Sequence, residues 1–202
     1  MAAMIYLCAT RGRPEAIREL IMGMYLYEMV PTAVMVGKPH SDYASVRWPK
    51  SWKIHYAEKN EGLTKAANTL WEIYKDHDYI GFLNDRARPR ENLWASKLVE
   101  AAQDGYANPQ ALGFNPRTNK PRLKNGVFSG ALLRQWGFLF PPWLTHLYID
   151  DVLEDLLYDA GKFYQTDVMV DEQPMAKHLR EVNGVPFADL DRKAYEQWAT
   201  SR

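Results

Sequence analysis

Short apolar runs divide the first 85 residues of the chain. Three of them, MIYLCAT, TAVMVG and YIGFLN, are almost continuously apolar, which is typical of strands buried on both faces. A weaker run, KIHYAEK, is interpreted as a further strand. The strands predicted in this way span residues 4–10, 32–37, 53–59 and 79–84.

Segments with a helical period lie between these strands. Residues 14–29 begin with Pro14, a favourable first helical residue, and residues 62–77 show the same three- and four-residue spacing of apolar side chains. Residues 38–53 are rich in proline, serine and aromatics and predict a loop. Alternating strands and helices with short connections predict a parallel sheet covered by helices. The second helix is predicted to direct Leu63, Ala66, Ala67, Leu70, Ile73 and Tyr74 to the core.

The second half of the chain has a different pattern. Helical periods recur at 92–104 and 148–162, and a short helix is predicted near the C-terminal end of the sequence. Between them, residues 105–144 are dense in glycine, proline, asparagine and aromatics, which predicts short strands or turns. Residues 163–172 predict one late strand.

Composition narrows the class of protein. The 202 residues include 25 basic and 25 acidic side chains, so no overall field would attract nucleic acid or an anionic membrane. The length is enough for one domain, residues 1–202, with a sizeable core. The single cysteine, Cys8, lies in an apolar run, which favours a buried reduced thiol and a cytoplasmic location. No run approaches the roughly 20 apolar residues of a membrane span.

Charged residues follow the strand predicted at 79–84. Asp85 comes first, and Arg86, Arg88 and Arg90 follow it. A carboxylate at the end of a core strand is a common place to hold a metal, yet three arginines accompany this one. In open parallel sheets ligands bind at the carboxyl ends of the strands, where residues 10–13, Gly37 and 84–88 are expected to converge.

Four segments, taken in order, resemble one family of enzymes. They are ATRGRPEAIRELI, EKNEGLTKAANTL, DYIGFLND and FSGALLRQWGFLFPPWLTHLYIDDVLEDLL. Together they resemble nucleotide-diphosphosugar glycosyltransferases of the GT-A fold, close to family two, over roughly residues 4–160. The tail VNGVPFADLDRKAYEQW resembles small bacterial and phage-type members.

The resemblance implies a fold and a division of the chain. The fold class would be α/β, with the mostly parallel central sheet of the GT-A type flanked by helices. Residues 1–90 would form the nucleotide-sugar-binding half, 91–180 the acceptor half and 181–202 a C-terminal tail helix.

It also implies hexosyl or pentosyl transfer from a nucleotide-diphosphate donor, a UDP-sugar above all, to an unidentified acceptor. Donor-binding residues carried over by position are Thr10, Arg11, Arg13, Lys65, Asp85, Arg86 and Arg88, and Asp85 would hold ribose or a metal. Asp150 or Asp151 would be the catalytic base with His146 nearby, and Ser129 and Trp143 would contact the acceptor.

One departure from the family bears on metal use. Members usually place a second carboxylate after the first, to bind Mg²⁺ or Mn²⁺, but Arg86 follows Asp85 here. A late histidine of the family would fall near Gln173, although His178 could substitute for it. Arginine forks bind phosphate oxygens through two bonds, so Arg86 and Arg88, with Lys65 or Arg13, could replace the metal as a cation site.

The choice of base is open at this stage. A neighbouring carboxylate would raise the pKa of Asp150 or Asp151, whereas the helix start would favour the ionised form. Simple capping of the helix explains the pair equally well.

Two other functions compete with glycosyl transfer by a small enzyme. A degenerate member could bind a nucleotide-sugar or a protein without catalysis. A phage-type enzyme could glycosylate a DNA base, with phosphates held by a loop that carries Arg117, Lys120, Arg122 and Lys124. A solvated loop is the competing interpretation of that basic segment.

Overall fold

The computed structural model describes residues 3–110, 113–173, 181–182 and 185–201. Within these ranges the chain forms an α/β structure around a seven-stranded sheet with the strand order β3-β2-β1-β4-β7-β6-β8. Its strands are β1 (Met4–Thr10), β2 (Thr32–Val36), β3 (Lys53–Tyr56), β4 (Tyr79–Asn84), β6 (Tyr106–Asn108), β7 (Val127–Ser129) and β8 (Phe163–Gln165).

The first four strands form the parallel part of this sheet. β1 lies between β2 and β4 and is parallel to both, and β2 is parallel to β3. β7 is antiparallel to its neighbours β4 and β6, whereas β8 is parallel to β6. The predicted α/β class with a mostly parallel central sheet is therefore confirmed. The fully buried β2 matches its continuously apolar sequence.

Helices cover both faces of the sheet, and apolar clusters pack on each side. A short strand pair outside the main sheet joins β5 (Ala87–Pro89) to β9 (Val170–Glu172). A second pair consists of β10 (Glu181–Val182) and β11 (Val185–Pro186). The helices are α1 (Pro14–Tyr27), α2 (Leu63–Tyr74), α3 (Trp94–Ala102), α4 (Gly130–Trp136), α5 (Ile149–Asp159) and α6 (Phe187–Thr200).

Some local predictions were wrong. Ile73 is 53% exposed, because the buried side of α2 runs through Ala67, Leu70 and Trp71 and leaves Ile73 on the other side of the helix. Residues 163–172 form two strands, β8 and β9, which pair with different partners. The helix α4 was missed because glycine, proline and aromatic residues around it suppress the helical period.

The loop predicted for residues 38–53 contains a 3₁₀ helix at His40–Tyr43. None of the helices within the described ranges is both long and apolar enough to cross a membrane.

Candidate functional site

The carboxyl ends of β1, β2 and β3 form one edge of the parallel sheet. A depression at this edge, here called the β1–β2 cleft, is closed by the start of α2 and by His146 and Phe187 from the second half of the chain. The cleft also includes Gly37, so residues 10–13 and Gly37 do converge there. Its polar lining consists of Thr10, Arg11, Arg13, Lys59, Asn60, Glu61 and His146.

A second depression, here called the β4 cleft, adjoins the first. The two share Ala9, Arg13, Leu63 and His146 in their linings. Beyond these, the polar residues of the β4 cleft come from the end of β4, from the loop before β7, from α5 and from β9. They are Asn84, Arg86, Lys124, Asn125, Asp150 and Glu172.

A buried network joins the ends of β1 and β4. Thr10 donates its hydroxyl to Asp85 Oδ2 at 2.7 Å, and Thr10 Oγ1 and Tyr43 Oη are also 2.7 Å apart. Arg13 Nε lies 3.0 Å from the same carboxylate oxygen, and the Arg13 amide donates to Tyr43 Oη at 3.1 Å. The network thus fixes both the backbone and the side chain of Arg13 at the cleft.

Asp85 lies beneath the cleft rather than on its surface. Its side chain is 0% exposed, and it is absent from the lining of both depressions. Burial raises the pKa of Asp85, and the charge of Arg13 and the hydrogen bond from Thr10 partly oppose this rise. A ligand in either depression would meet Arg13 before it met Asp85.

Arg86 lies on the β4 cleft and is held by β9. The pairing of Ala87 with Glu172 brings the two strands together, and Arg86 Nη2 lies 3.3 Å from Glu172 Oε2. Arg86 Nη1 donates to the Gln173 carbonyl at 2.5 Å. Glu172 also accepts from the amides of Asn84 and Asn125 at 2.6 and 2.8 Å.

Arg88 turns away from both clefts. Its guanidinium donates to the carbonyls of Asp85 and Ala87, to Glu19 Oε2 at 2.9 Å and to Gln173 Oε1 at 2.8 Å. The side chain is only 7% exposed, and burial lowers its pKa. Arg88 is therefore absent from both cleft linings, although it shares Gln173 with Arg86, and it joins α1, β5 and the end of β9.

His146 stands where the two clefts meet. Its ring stacks on Phe187 of α6, with centroids 4.3 Å apart and an interplanar angle of 16°. Burial lowers the pKa of His146 to about 4, with Arg13 and Arg11 acting in the same direction and Asp191 opposing them. The imidazole is therefore neutral near pH 7 and can accept or donate a hydrogen bond there.

Asp150 and Asp151 open α5 in different surroundings. Asp150 lines the β4 cleft, and Arg122 Nη1 lies 2.6 Å from its Oδ2. Asp151 accepts from Asn115 at 3.0 Å and from Arg122 at 3.3 Å. Burial, with the adjacent Asp150, raises the pKa of Asp151. Of the two carboxylates, Asp150 is the one that a ligand in the cleft would touch.

Besides Asp85, Arg88 and Asp151, three further predicted site residues are absent from the linings of both clefts. Lys65 is exposed and lines depressions on the outer side of α2. Ser129 pairs with Tyr79 at the start of β4, which is the edge of the sheet opposite to Asn84. Trp143 is 41% exposed and packs edge-on against Phe138 at 5.6 Å, outside the linings of both clefts.

The basic loop before β7 is folded onto α5. Arg117 lies 2.8 Å from Asp155, and Lys120 Nζ lies 4.2 Å from the ring centroid of Tyr158. Lys124 Nζ is 3.9 Å from Glu172. These cations, like Arg122, thus have acidic or aromatic partners in the same chain.

Within the part of the chain that the structure describes, the donor atoms near Asp85 do not form a site for a divalent cation. Asp85 Oδ1 lacks a hydrogen-bond partner among the described residues, which leaves one carboxylate oxygen available. In those residues, however, no group of three or more histidine, cysteine, aspartate or glutamate side chains converges. Arg86 occupies the neighbouring position. Glu172 is already bound by Arg86 and by the side-chain amides of Asn84 and Asn125. His178, the suggested substitute ligand, lies outside the described residues.

Sequence reasoning missed Glu172, Asp191 and Phe187. Glu172 reaches the cleft through the pairing of two three-residue strands that leave no periodic signal. Phe187 and Asp191 are both buried and lie four positions apart on α6, a spacing that indicates a shared helix face. Nothing in the sequence indicates which surface that face would meet.

Comparison with solved structures identifies the architecture. TarS 1–349 of S. aureus in complex with UDP-GlcNAc superimposes with a TM-score of 0.65 at 13% identity, covering 87% of this chain and 60% of that one. The fold is of the GT-A type. The resemblance seen in the four sequence segments is thus confirmed at the level of the fold.

Two further solved structures share this GT-A architecture. The mannosyltransferase PcManGT of Pyrobaculum calidifontis, in complex with GDP-Man and Mn²⁺, gives a TM-score of 0.59 at 14% identity, covering 82% of this chain and 55% of that one. GalNAc-T7 with UDP, GalNAc and Mn²⁺ gives 0.61 at 9% identity, with coverages of 83% and 44%.

This chain therefore spans 60% or less of each of these structures. No protein-family model and no curated protein matches the sequence.

Proposed function

We propose that this chain is a glycosyltransferase that moves a hexosyl or pentosyl group from a nucleotide-diphosphate donor to an acceptor. The fold it shares with nucleotide-sugar glycosyltransferases supports the general activity. The observation that carries the proposal is the convergence of Arg11, Arg13 and Arg86 with Asp150 and His146 around two adjoining clefts. A UDP-sugar is the first donor to test, because TarS, which has a similar fold, was solved in complex with UDP-GlcNAc.

Cationic side chains would stabilise the leaving diphosphate. Negative charge grows on the leaving group as the glycosidic bond breaks, and preorganised cations lower the energy of that charge. Arg13 is preorganised by Asp85 and Tyr43, and Arg86 by Glu172. Arg88 is left out of this set because Glu19 and Gln173 engage it away from the clefts.

Asp150 would serve as the base that accepts the proton of the acceptor. A general base must reach the acceptor hydroxyl, and Asp150 and His146 both line the β4 cleft. Arg122 would orient its carboxylate through the 2.6 Å contact. Asp151, which Asn115 and Arg122 engage, would help to hold the start of α5 in place.

The first experiment measures donor binding and donor turnover together. Thermal stabilisation of the purified chain would be recorded with a panel of nucleoside diphosphates and nucleotide-sugars, each with EDTA and with Mn²⁺, because a bound ligand raises stability by mass action. Release of nucleoside diphosphate from each donor, with water as the acceptor of the glycosyl group, would be followed in parallel. Arg13→Gln would be compared with Arg18→Gln, whose guanidinium pairs with Glu15 on the outside of α1.

Each outcome has a distinct meaning. Stabilisation by one donor that persists in EDTA, with diphosphate release that Arg13→Gln weakens, supports a transferase with an arginine cation site. Stabilisation and release that require Mn²⁺ would overturn the metal-independent part alone. Binding without release under any condition would instead support the degenerate binding protein, and stabilisation by no donor would refute the proposal.

A cytoplasmic location remains a prediction, which rests on the single buried thiol of Cys8.

A further inference from the structure

A single buried carboxylate holds the loop that carries His146. Asp191, in the second turn of α6, is 0% exposed. The backbone amide of Thr145 donates to its Oδ1 at 2.7 Å, and those of His146 and Leu147 donate to its Oδ2 at 2.7 and 2.6 Å. Three consecutive amides therefore converge on one side chain 44 to 46 positions away in the sequence.

The same helix supplies the ring that packs against His146. Phe187 lies one turn before Asp191, is buried and lines the β1–β2 cleft. Its ring is nearly parallel to the imidazole at 4.3 Å. Asp191 thus fixes the backbone of residue 146 while Phe187 fixes its side chain.

The start of α2 supports the loop from the other side. The Thr64 amide donates to the Thr145 carbonyl at 3.2 Å. Gly62 has a φ of +94°, and a Cβ built there would lie 2.5 Å from Thr145 Cγ2, so a larger residue would displace the loop. Residues 145–147 are therefore held between α2 and α6.

We propose that Asp191 is a positioning residue for the donor site, and that it acts by holding His146 and Phe187 as one wall of the β1–β2 cleft. The inference rests on the proposed function in taking this cleft as the place of the nucleoside diphosphate. Charge-assisted bonds from three amides are stronger than neutral ones, and binding groups must be held closely to be effective. The wall would be absent from a chain that lacked α6.

The test compares two aspartates of one helix. Asp191→Asn keeps the size of the side chain but removes its charge and one acceptor oxygen. Asp189→Asn makes the same change at an exposed position of the first turn. A second variant, Phe187→Leu, removes the aromatic ring and keeps an apolar side chain, so that the inference does not depend on one substitution.

Two readouts are needed. The first is the dissociation constant of the nucleoside diphosphate that stabilises the wild-type chain most. The second is the NMR resonance of the His146 ring, recorded without ligand and assigned by its loss in His146→Gln, because the stacked Phe187 ring shifts it upfield. The chain has five histidines, so this assignment is practical.

The positioning role predicts that Asp191→Asn raises the dissociation constant by about tenfold or more and moves the His146 resonance, whereas Asp189→Asn changes neither. Phe187→Leu should abolish the upfield shift and also weaken binding. A folded Asp191→Asn chain with the wild-type resonance and affinity would overturn the inference, as would equal effects of Asp189→Asn.

The two proposals fail in different ways. If no nucleoside diphosphate binds the wild-type chain, the proposed function fails, while the His146 resonance still reports whether Asp191 positions the ring.

Discussion

The two adjoining clefts differ in how their charges are arranged. In the β1–β2 cleft the cations Arg11, Arg13 and Lys59 share the lining with one acid, Glu61, and the carboxylate that pairs with Arg13 lies beneath the surface. In the β4 cleft, by contrast, cations and acids face each other. Arg86 and Lys124 both lie within 4 Å of Glu172, and Arg122 lies 2.6 Å from Asp150.

This difference predicts that the two clefts serve different steps, donor binding and glycosyl transfer. A lining with excess positive charge suits an anionic group that stays bound, such as a diphosphate. A lining of paired charges suits the transfer step, in which negative charge develops on the leaving group. Its carboxylates and cations are already held in position before that charge develops. We therefore expect changes in the first cleft to alter donor affinity and changes in the second to alter turnover.

The largest expected effect comes from Asp150→Asn in the β4 cleft. Loss of a general base lowers turnover by about 10²–10⁴-fold, whereas donor affinity should change little. The measurement is the rate of nucleoside-diphosphate release at saturating donor, with water as the acceptor, together with the dissociation constant of the nucleoside diphosphate. Asp155→Asn on the same helix, where the carboxylate pairs with Arg117, is the matched control. A variant with full turnover would remove Asp150 from the mechanism.

Arg88, which lies outside both clefts, should affect stability alone. Arg88→Gln removes the donor that the carbonyls of Asp85 and Ala87 share at a buried site, whereas Glu19 is half exposed and keeps Gln173 as a partner, so we expect a loss of about 2–3 kcal/mol in the free energy of unfolding. Arg90→Gln removes a pair with Asp171 that is about half exposed and should cost under about 1 kcal/mol. Chemical denaturation measures both, and a specific loss of donor binding in the Arg88 variant would return that residue to the donor site.

Arg13→Gln tests the excess positive charge of the β1–β2 cleft. Loss of a charge-assisted phosphate contact should raise the donor dissociation constant by about 10–100-fold. Titration calorimetry at low and moderate salt would measure it, with Arg18→Gln as the control. Turnover at saturating donor should fall less than in Asp150→Asn, and the opposite order would contradict the division between the clefts.

His146, which lines both clefts, sets a pH dependence of stability. Its pKa is about 4 in the folded chain, against 6.5 as the ordinary value, so the unfolded chain binds more protons between these limits. Stability therefore falls as pH drops from 6.5 to 4, by about 1–2 kcal/mol given the partial exposure of the ring.

The groups facing this ring are Asp191, Arg11 and Arg13. Denaturation of the wild-type chain and of His146→Gln at several pH values isolates the contribution. Parallel pH profiles of the two proteins would show that His146 does not titrate in this range.

The smallest effect is expected in the test of DNA binding by the chain. The basic loop has intramolecular partners for Arg117, Lys120, Arg122 and Lys124, so phosphates would have to displace them. We expect no electrophoretic shift of duplex DNA at moderate salt, where non-specific phosphate contacts are weak. A shift that persists there would favour the DNA-modifying alternative.

The first half of the fold could be predicted because its strands are buried on both faces. β1, β2 and β4 are nearly all apolar, and α1 and α2 have an unambiguous helical period. In the second half β6, β7, β8 and β9 are each three residues long. Such strands are too short for a periodic signal, and contacts with distant segments determine them.

The site could be predicted only in part, for a related reason. Residues at the ends of parallel strands, such as Arg13 and Arg86, follow from the topology. The direction in which a side chain points does not follow from the topology. Arg88 comes two positions after Arg86 and lies on β5, which pairs with β9, but its guanidinium points to Glu19 and away from the clefts. Contributions from distant segments, such as Asp191 and Glu172, become evident only in three dimensions.

The long separation between Asp191 and the loop it holds has a consequence for synthesis of the chain. Proteins emerge from the ribosome with the N-terminal part first, and β1, β2, β3 and β4 can pair before the later segments exist. The β1–β2 cleft gains its Phe187 wall, and residues 145–147 gain their anchor, only after residue 191 has been translated. A nascent chain could therefore pair its four parallel strands before the β1–β2 cleft was complete.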